Sequence, residues 1–379
     1  MAFPLAMPWD VFIAGGGPAG LATAIAARRH GLSVIVADGA VAPIDKPCGE
    51  GLLPDGVAAL RDLGIEIPES DAYPFRGIRF VSDGVTAEAE FPRGTAYGVR
   101  RTHLHRVMVD RAAACGVRML WQAPVTGLHP EGALVGGELV RARWVVGADG
   151  TSSRVRSWAK LDQRQGDGRS GTNVRFAFRR HYRIAPWGEF MELHWGRHSQ
   201  VYVTPIGREE VCVALISHDP KLRLREEEAL CEFPELRARL KDAEYASSER
   251  GAITVTRQLK RVYRDHNALV GDASGGVDAI TGEGLCLAFR QASLLGDCLA
   301  GGKLALYQKR HHALFRRPAL MARLMLFIAK HGRLRQRVMQ TFQSHPRSFA
   351  AMLAMHVGEG STRDHISNGI AVGWELLKA

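Results

Sequence analysis

Val11-Phe12-Ile13-Ala14-Gly15-Gly16-Gly17-Pro18-Ala19-Gly20 is the stretch that decides how the chain begins to fold. Four apolar residues run into Gly15, the pattern of a buried parallel strand. Leu21 to His30 is Ala-rich and ends at Gly31, which reads as a helix with its stop signal. Ser33 to Ala37 is a second apolar run, closed by Asp38, 23 residues after Gly15. Strand, turn, helix, strand and acid form a βαβ unit with Gly-x-Gly-x-x-Gly at its first turn. Gly15 makes the tight turn, Gly17 lets a pyrophosphate approach the backbone, and Gly20 lets helix and strand pack closely. Pro18 and Ala19 open the helix whose N-terminus faces the phosphates, and Asp38 can accept hydrogen bonds from ribose hydroxyls.

Two later segments repeat the theme of a buried strand running into a polar turn. Trp144 to Ala148 leads into Asp149-Gly150-Thr151-Ser152-Ser153-Arg154-Val155-Arg156. Ala268 to Val270 leads into Gly271-Asp272-Ala273, then through Thr281-Gly282-Glu283-Gly284 and Leu285 into a helix ending near Leu299. Either alone reads as an Asp-Gly turn or a helix cap. In this order and spacing, after a dinucleotide turn, they read as further parts of one site.

These three segments together resemble the flavoprotein monooxygenases of the para-hydroxybenzoate hydroxylase type. Lys46-Pro47-Cys48-Gly49-Glu50-Gly51 is similar to their relatives the geranylgeranyl reductases, and also to some flavin halogenases. The resemblance covers roughly Asp10 to Leu299. It implies FAD as cofactor, with NADPH or NADH as a transient electron donor. It also implies that Lys46, Arg101, Val125, Asp149, Asp272, Gly282, Gly284 and Leu285 lie along the cofactor, Asp272 at the ribitol and Val125 at the adenine through its backbone. Cys48 and Cys286 fall in segments that the resemblance sets beside the flavin, so with Glu50 they are the candidate catalytic residues. The chain departs from the family at Val277-Asp278-Ala279-Ile280, where prolines are frequent. The halogenase Trp-x-Trp-x-Ile-Pro is absent, and the reductase Tyr-x-Trp-x-Phe-Pro is only echoed by Val201-Tyr202-Val203-Thr204-Pro205.

The implied architecture is α/β: a Rossmann-type three-layer FAD-binding domain from 1–75, 99–160 and 262–300, with a substrate domain from 76–98 and 161–261. Alternating apolar and polar residues in Phe190 to Trp195 and Val201 to Ile206 predict an inserted antiparallel β-sheet. His194 and Tyr202 are the candidate substrate contacts on it. Residues 301–379 form a basic helical C-terminal extension.

Composition is that of an ordinary globular protein, 46% hydrophobic and 23% charged. Its six cysteines show no CxxC or Cys/His cluster, which predicts no metal site and suits a reducing cytoplasm. The net charge of +11 is concentrated: from Lys303 onward there are 13 Lys+Arg against 3 Asp+Glu. A helix starting at Pro318 would place Leu320, Leu324, Phe327, Leu334 and Val338 in one stripe. Arg323, Lys330 and Arg337 would flank it on one side and Arg335 on the other. That pattern predicts docking on an anionic membrane surface, or a cover for an apolar substrate entrance. No nucleic-acid partner is expected.

The reaction expected first is hydroxylation or epoxidation of a hydrophobic small molecule through a flavin C4a-hydroperoxide. The alternative is saturation of carbon–carbon double bonds in an apolar substrate. A plain NAD-dependent dehydrogenase, or a non-catalytic nucleotide-binding module, would leave Gly271-Asp272 without a role.

Overall fold

The computed structural model describes residues 8–163, 174–219 and 226–358. The expected β region and the basic extension therefore reach beyond it at 172–173 and 359–379, and 1–7 also lies outside.

The strand Trp9–Ala14 forms as read and is followed by helix α1, Pro18–Arg29. It sits centrally in a sheet, between Val34–Ala37 on one side and Glu138–Gly147 on the other, both parallel to it. The register explains why three distant motifs meet. Ala14 lies opposite both Ala37 and Gly147, and Gly147 lies opposite Leu269 of the next parallel strand. The turns after Ala14, Ala37, Gly147 and Leu269 therefore all emerge at one carboxyl edge, the place where open α/β sheets bind ligands. Fully buried Val11, Phe12, Ile13, Val34, Ile35, Val145 and Val146 make these strands a continuous core layer. Helix α2 (Pro54–Asp62), helix α3 (Arg101–Ala114), the short helix α4 (Arg154–Trp158) and the β-hairpin Val125–His129/Gly132–Val135 complete the surroundings.

The second sheet holds Gly77–Ser82, Val85–Glu90, Val174–Arg183, Phe190–Trp195, Ser199–Gly207 and Glu210–Ser217. It is antiparallel except that Phe190–Trp195 runs parallel to Gly77–Ser82. The expected half-solvated alternation is absent: every residue of Phe190–Trp195 is buried. Both faces are covered. Leu193, Trp195 and Tyr202 pack on one core, and Val201, Val203 and Phe233 on another that includes Leu230, Leu236 and Leu240. Those last residues lie around the helices α5 (Glu226–Ala229) and α6 (Pro234–Leu240).

Helix α7 (Gly284–Ala300) returns to pack on α1, where Gly296 is needed: a Cβ there would stand 2.7 Å from Ala26 Cβ. Beyond it come α8 (Leu304–Lys330), α9 (Gly332–Ser344) and α10 (Pro346–His356). Pro318 lies inside α8 rather than at the start of a helix, and the chain bends at His331. The helix survives the proline because packing holds both halves, through Tyr307 and Phe315 before it and Met321, Met325 and Ile328 after it. The predicted five-residue stripe is therefore broken. Val338 is buried in the core, and Arg335 is buried too, donating to Gly196 O.

His311 ties α8 to the Gly271–Ser274 turn. Ser274 Oγ donates to Gly271 O and so accepts from His311 Nε2–H, leaving Nδ1 buried without a partner. Burial, with neighbouring His312, drives its pKa down to about 3. In the unfolded chain it would take up a proton near pH 6.5. Its contribution to stability is thus complete above about pH 6.5 and is lost as pH falls toward the folded value, at about 1.4 kcal/mol per pH unit. In urea titrations between about pH 6 and pH 4, His311→Leu should flatten the fall of unfolding free energy by about that slope. An unchanged slope would rule out this role.

Candidate active site

The carboxyl edge of the first sheet opens into a cleft of about 370 Å³ whose far wall is the second sheet. Of the residues singled out from the sequence, Gly17, Pro18, Ala19, Lys46, Cys48, Glu50, Arg101, Asp272, Gly282, Gly284, Leu285 and Tyr202 line it.

Two helices begin at the cleft with free N–H groups. The caps of α1, Gly17, and of α7, Glu283, make no side-chain cap hydrogen bond. The first N–H groups of each helix are left for a ligand, and the helix dipoles favour an anion there. The glycines also leave room. A Cβ placed on Gly17, Gly282 or Gly284 would meet nothing within 4 Å. At Gly20 it would stand 1.9 Å from Gly15 O, so Gly20 serves packing, as does Gly15, whose Cβ would lie 2.5 Å from Ala148 O. Arg101 Nε and Asp278 Oδ2 line the same cleft and are buried without a partner. Empty approach paths, unused donors and orphaned polar atoms along one cleft fit a dinucleotide with a polar ring system. The residues that would hold it are the Gly17–Ala19 turn at the pyrophosphate, Asp272 at the ribitol, and Gly282 to Leu285 at the ring end.

Other expected residues have their side chains engaged by the protein or lie outside the lining of the cleft. Both carboxylate oxygens of Asp38 are engaged by the turn, accepting Gly16 N–H at 2.7 Å and Ala40 N–H at 2.8 Å. Lone pairs remain on each oxygen for a hydroxyl. Asp149 caps α4, its Oδ2 accepting from Arg154 N and Val155 N, while its neighbours Ala148, Gly150 and Thr151 form the wall. Val125 opens the hairpin strand Val125–His129 outside the lining of the cleft, two residues after Ala123, whose N–H donates to Asp38 O. His194 is turned to the opposite face of its strand, bonded to Glu192 at 2.8 Å and edge-on to Phe233. Met191 supplies the cleft contact instead. Cys286 turns toward α2, its thiol 2.9 Å from Asp55 Oδ2. Burial, reinforced by that carboxylate, pushes this thiol well above the ordinary cysteine range. Cys286 is therefore a helix contact, and Cys212, whose thiol donates to Cys48 O, is the cysteine beside Cys48.

The Lys46–Gly51 loop carries the most unusual local geometry. Glu50 adopts a left-handed backbone, φ 58°, which strains a residue with a side chain. Its carboxylate is pinned on both sides: Oε1 accepts Arg101 N–H at 2.9 Å, capping α3, and Oε2 lies 2.7 Å from His181 Nε2. His181 Nδ1 in turn lies 2.7 Å from Ser247 Oγ. Glu50 and His181 are 3% and 2% exposed, so this is an interior line of hydrogen bonds from the second sheet to the loop. The pinned turn presents Cys48 to the cleft, with its Sγ accepting Glu50 N–H. Enclosure by protein raises the Cys48 thiol above the usual cysteine range, against the opposing pull of the Arg101 guanidinium.

Sequence reasoning missed the charged row on Val174–Arg183. Arg175, Arg179 and His181 alternate along one face and are buried. Arg175 pairs with Asp278 at 2.7 Å and with Gln200, and Arg179 pairs with Asp45. The odd-numbered cations of Arg-Phe-Ala-Phe-Arg-Arg-His were a readable signal: a strand with charges at i, i+4 and a histidine at i+6 directs them to one face.

Residues 8–302 match the family described as FAD binding domain. A menaquinone reductase of Mycobacterium tuberculosis is 37% identical over 155 residues, an alignment spanning 38% of each chain. Digeranylgeranylglycerophospholipid reductase 1 of Methanothermobacter thermautotrophicus is 27% identical over 322 residues, covering 77% of each. Among solved structures, a flavoprotein/dehydrogenase from Cytophaga hutchinsonii superposes with a TM-score of 0.80 at 19% identity, over 93% of each chain.

Proposed function

This chain belongs to the FAD binding domain family, and from that premise we propose that it is a flavin-dependent reductase that saturates carbon–carbon double bonds of a long apolar substrate. The single observation that carries the reading is Cys48, whose thiol the pinned Glu50 turn presents to the cleft that Gly17 and Gly284 line. Adding two hydrogens to an alkene takes one hydride and one proton. FAD held on the Gly17–Ala19 turn and reduced by NADPH or NADH would supply the hydride equivalent. Cys48 Sγ–H gives the proton to the second carbon, Arg101 stabilises the thiolate, and solvent returns the proton. Leu53, Met191, Tyr202, Ala214 and Ile216 offer an apolar wall for a prenyl-type chain. The reductase names of the relatives aligned across three quarters of the chain favour the same reading over oxygen insertion.

The test is anaerobic. Enzyme with its flavin chemically reduced is mixed with a geranylgeranyl lipid, which has double bonds but no quinone ring to take the electrons. Return of the yellow flavin absorbance without oxygen is the expected result. If the lipid does not restore the colour and only oxygen does, the reductase reading fails.

A further inference from the structure

We propose that the outer face of α8 docks on an anionic lipid bilayer; the inference does not depend on which reaction the cleft performs. Six large hydrophobic side chains are exposed among the described residues, and three of them, Leu320, Leu324 and Phe327, lie on this helix at 62%, 39% and 55% exposure. At 100° per residue they fall within about 60° of arc, and they span roughly 10 Å of helix. None of the three lines the cleft, so this face is not a substrate lid.

The surrounding charge selects the occupant. From Cys298 to Gly358 the sequence has 11 Lys+Arg and no Asp or Glu. Arg317 and Arg335 are used internally, by Asp55 and Glu283 and by Gly196 O. Arg316, Arg323 and Lys330 are exposed along one flank of the stripe, and Arg333 and Arg337 continue beyond the bend at His331. An apolar stripe edged by cations on long stems matches the headgroup boundary: the stripe enters the acyl region while the cations reach phosphates. Two-fold pairing with a second copy would set this acid-free helix against itself, cation facing cation. A nucleic acid would leave the apolar stripe without a partner. Among the described residues no helix is long and apolar enough to cross a membrane, so the attachment is peripheral.

The test is co-sedimentation of the purified flavin-loaded protein with vesicles of phosphatidylcholine alone and of phosphatidylcholine doped with phosphatidylglycerol. The protein should bind the doped vesicles at least about tenfold more tightly, the scale of a small number of cation–phosphate contacts. At physiological salt, where exposed charges are screened beyond about 8 Å, Leu324→Ser/Phe327→Ser should bind at least about tenfold more weakly than wild type, because the inserted apolar area is gone. Arg323→Glu/Lys330→Glu should lose the preference for the anionic vesicles. Every substituted position is exposed, so flavin content and melting temperature serve as controls for folding. Equal binding of the Ser variant and wild type, or no dependence on phosphatidylglycerol, would overturn the proposal. So would a concentration-dependent dimer in sedimentation velocity that both variants abolish, since the face would then be an interface between copies.

Discussion

Gly17→Val should yield a folded protein that purifies without flavin. The backbone at Gly17 is extended, φ −72° and ψ 177°, which any residue can adopt. A Cβ there meets no protein atom within 4 Å, so the substitution adds no clash in the ligand-free chain. What it fills is the approach to the free N–H groups of α1, where a pyrophosphate would lie. Overpacking a close contact costs about 1–3 kcal/mol, and losing the helix N-terminus contacts adds to that. A loss of FAD affinity of about 100-fold or more follows. The neighbouring Gly20→Val acts differently: its Cβ would stand 1.9 Å from Gly15 O, so the fold itself should fail. Flavin-to-protein ratio and thermal melts separate the two. Full flavin occupancy in Gly17→Val would show that the pyrophosphate does not lie on this turn.

Cys48→Ala should lower turnover by about 10²–10⁴-fold, the range for a positioned proton donor, with little change in flavin content. The pH profile adds a readout that a packing role would not move. Because the thiol lies above the usual cysteine range, it holds its proton throughout the neutral region and loses it only as pH rises through that elevated value. Wild-type turnover should therefore show no limb from this group near neutrality and should fall on the alkaline side. Cys48→Ala should retain residual activity without that alkaline limb. Wild-type turnover in the alanine variant would remove Cys48 from the chemistry and with it the observation on which the reductase reading rests.

The parts that were legible in the sequence share a property: their signals are local. A glycine turn after an apolar run, an Asp-Gly after a strand and a Gly-rich entry into a helix each declare their own conformation. The parallel register then brings Gly15, Asp149 and Gly271 to one edge. What stayed hidden depends on facing. His194 and Met191 sit three residues apart on one strand and so face opposite ways, and His194, held by Glu192 and Phe233, takes the side away from the cleft. Asp149 and Cys286 lie in site-forming segments, yet the α4 cap and the Asp55 carboxylate claim their side chains. The Glu50–His181 bond links residues 131 apart in sequence, beyond the reach of any local pattern. Pro318 misled because its helix-starting preference is weaker than the packing that carries α8 through it.

The most direct test of the account is the mass of the product formed in a single turnover. Reduced enzyme is given a prenyl-chain lipid that has no quinone ring, with oxygen excluded, and the product is weighed. The expected product is heavier by two hydrogens at one double bond for each flavin oxidised, and in heavy water it carries deuterium at the carbon that Cys48 protonates. A product that forms only in the presence of oxygen and gains one oxygen atom would contradict it.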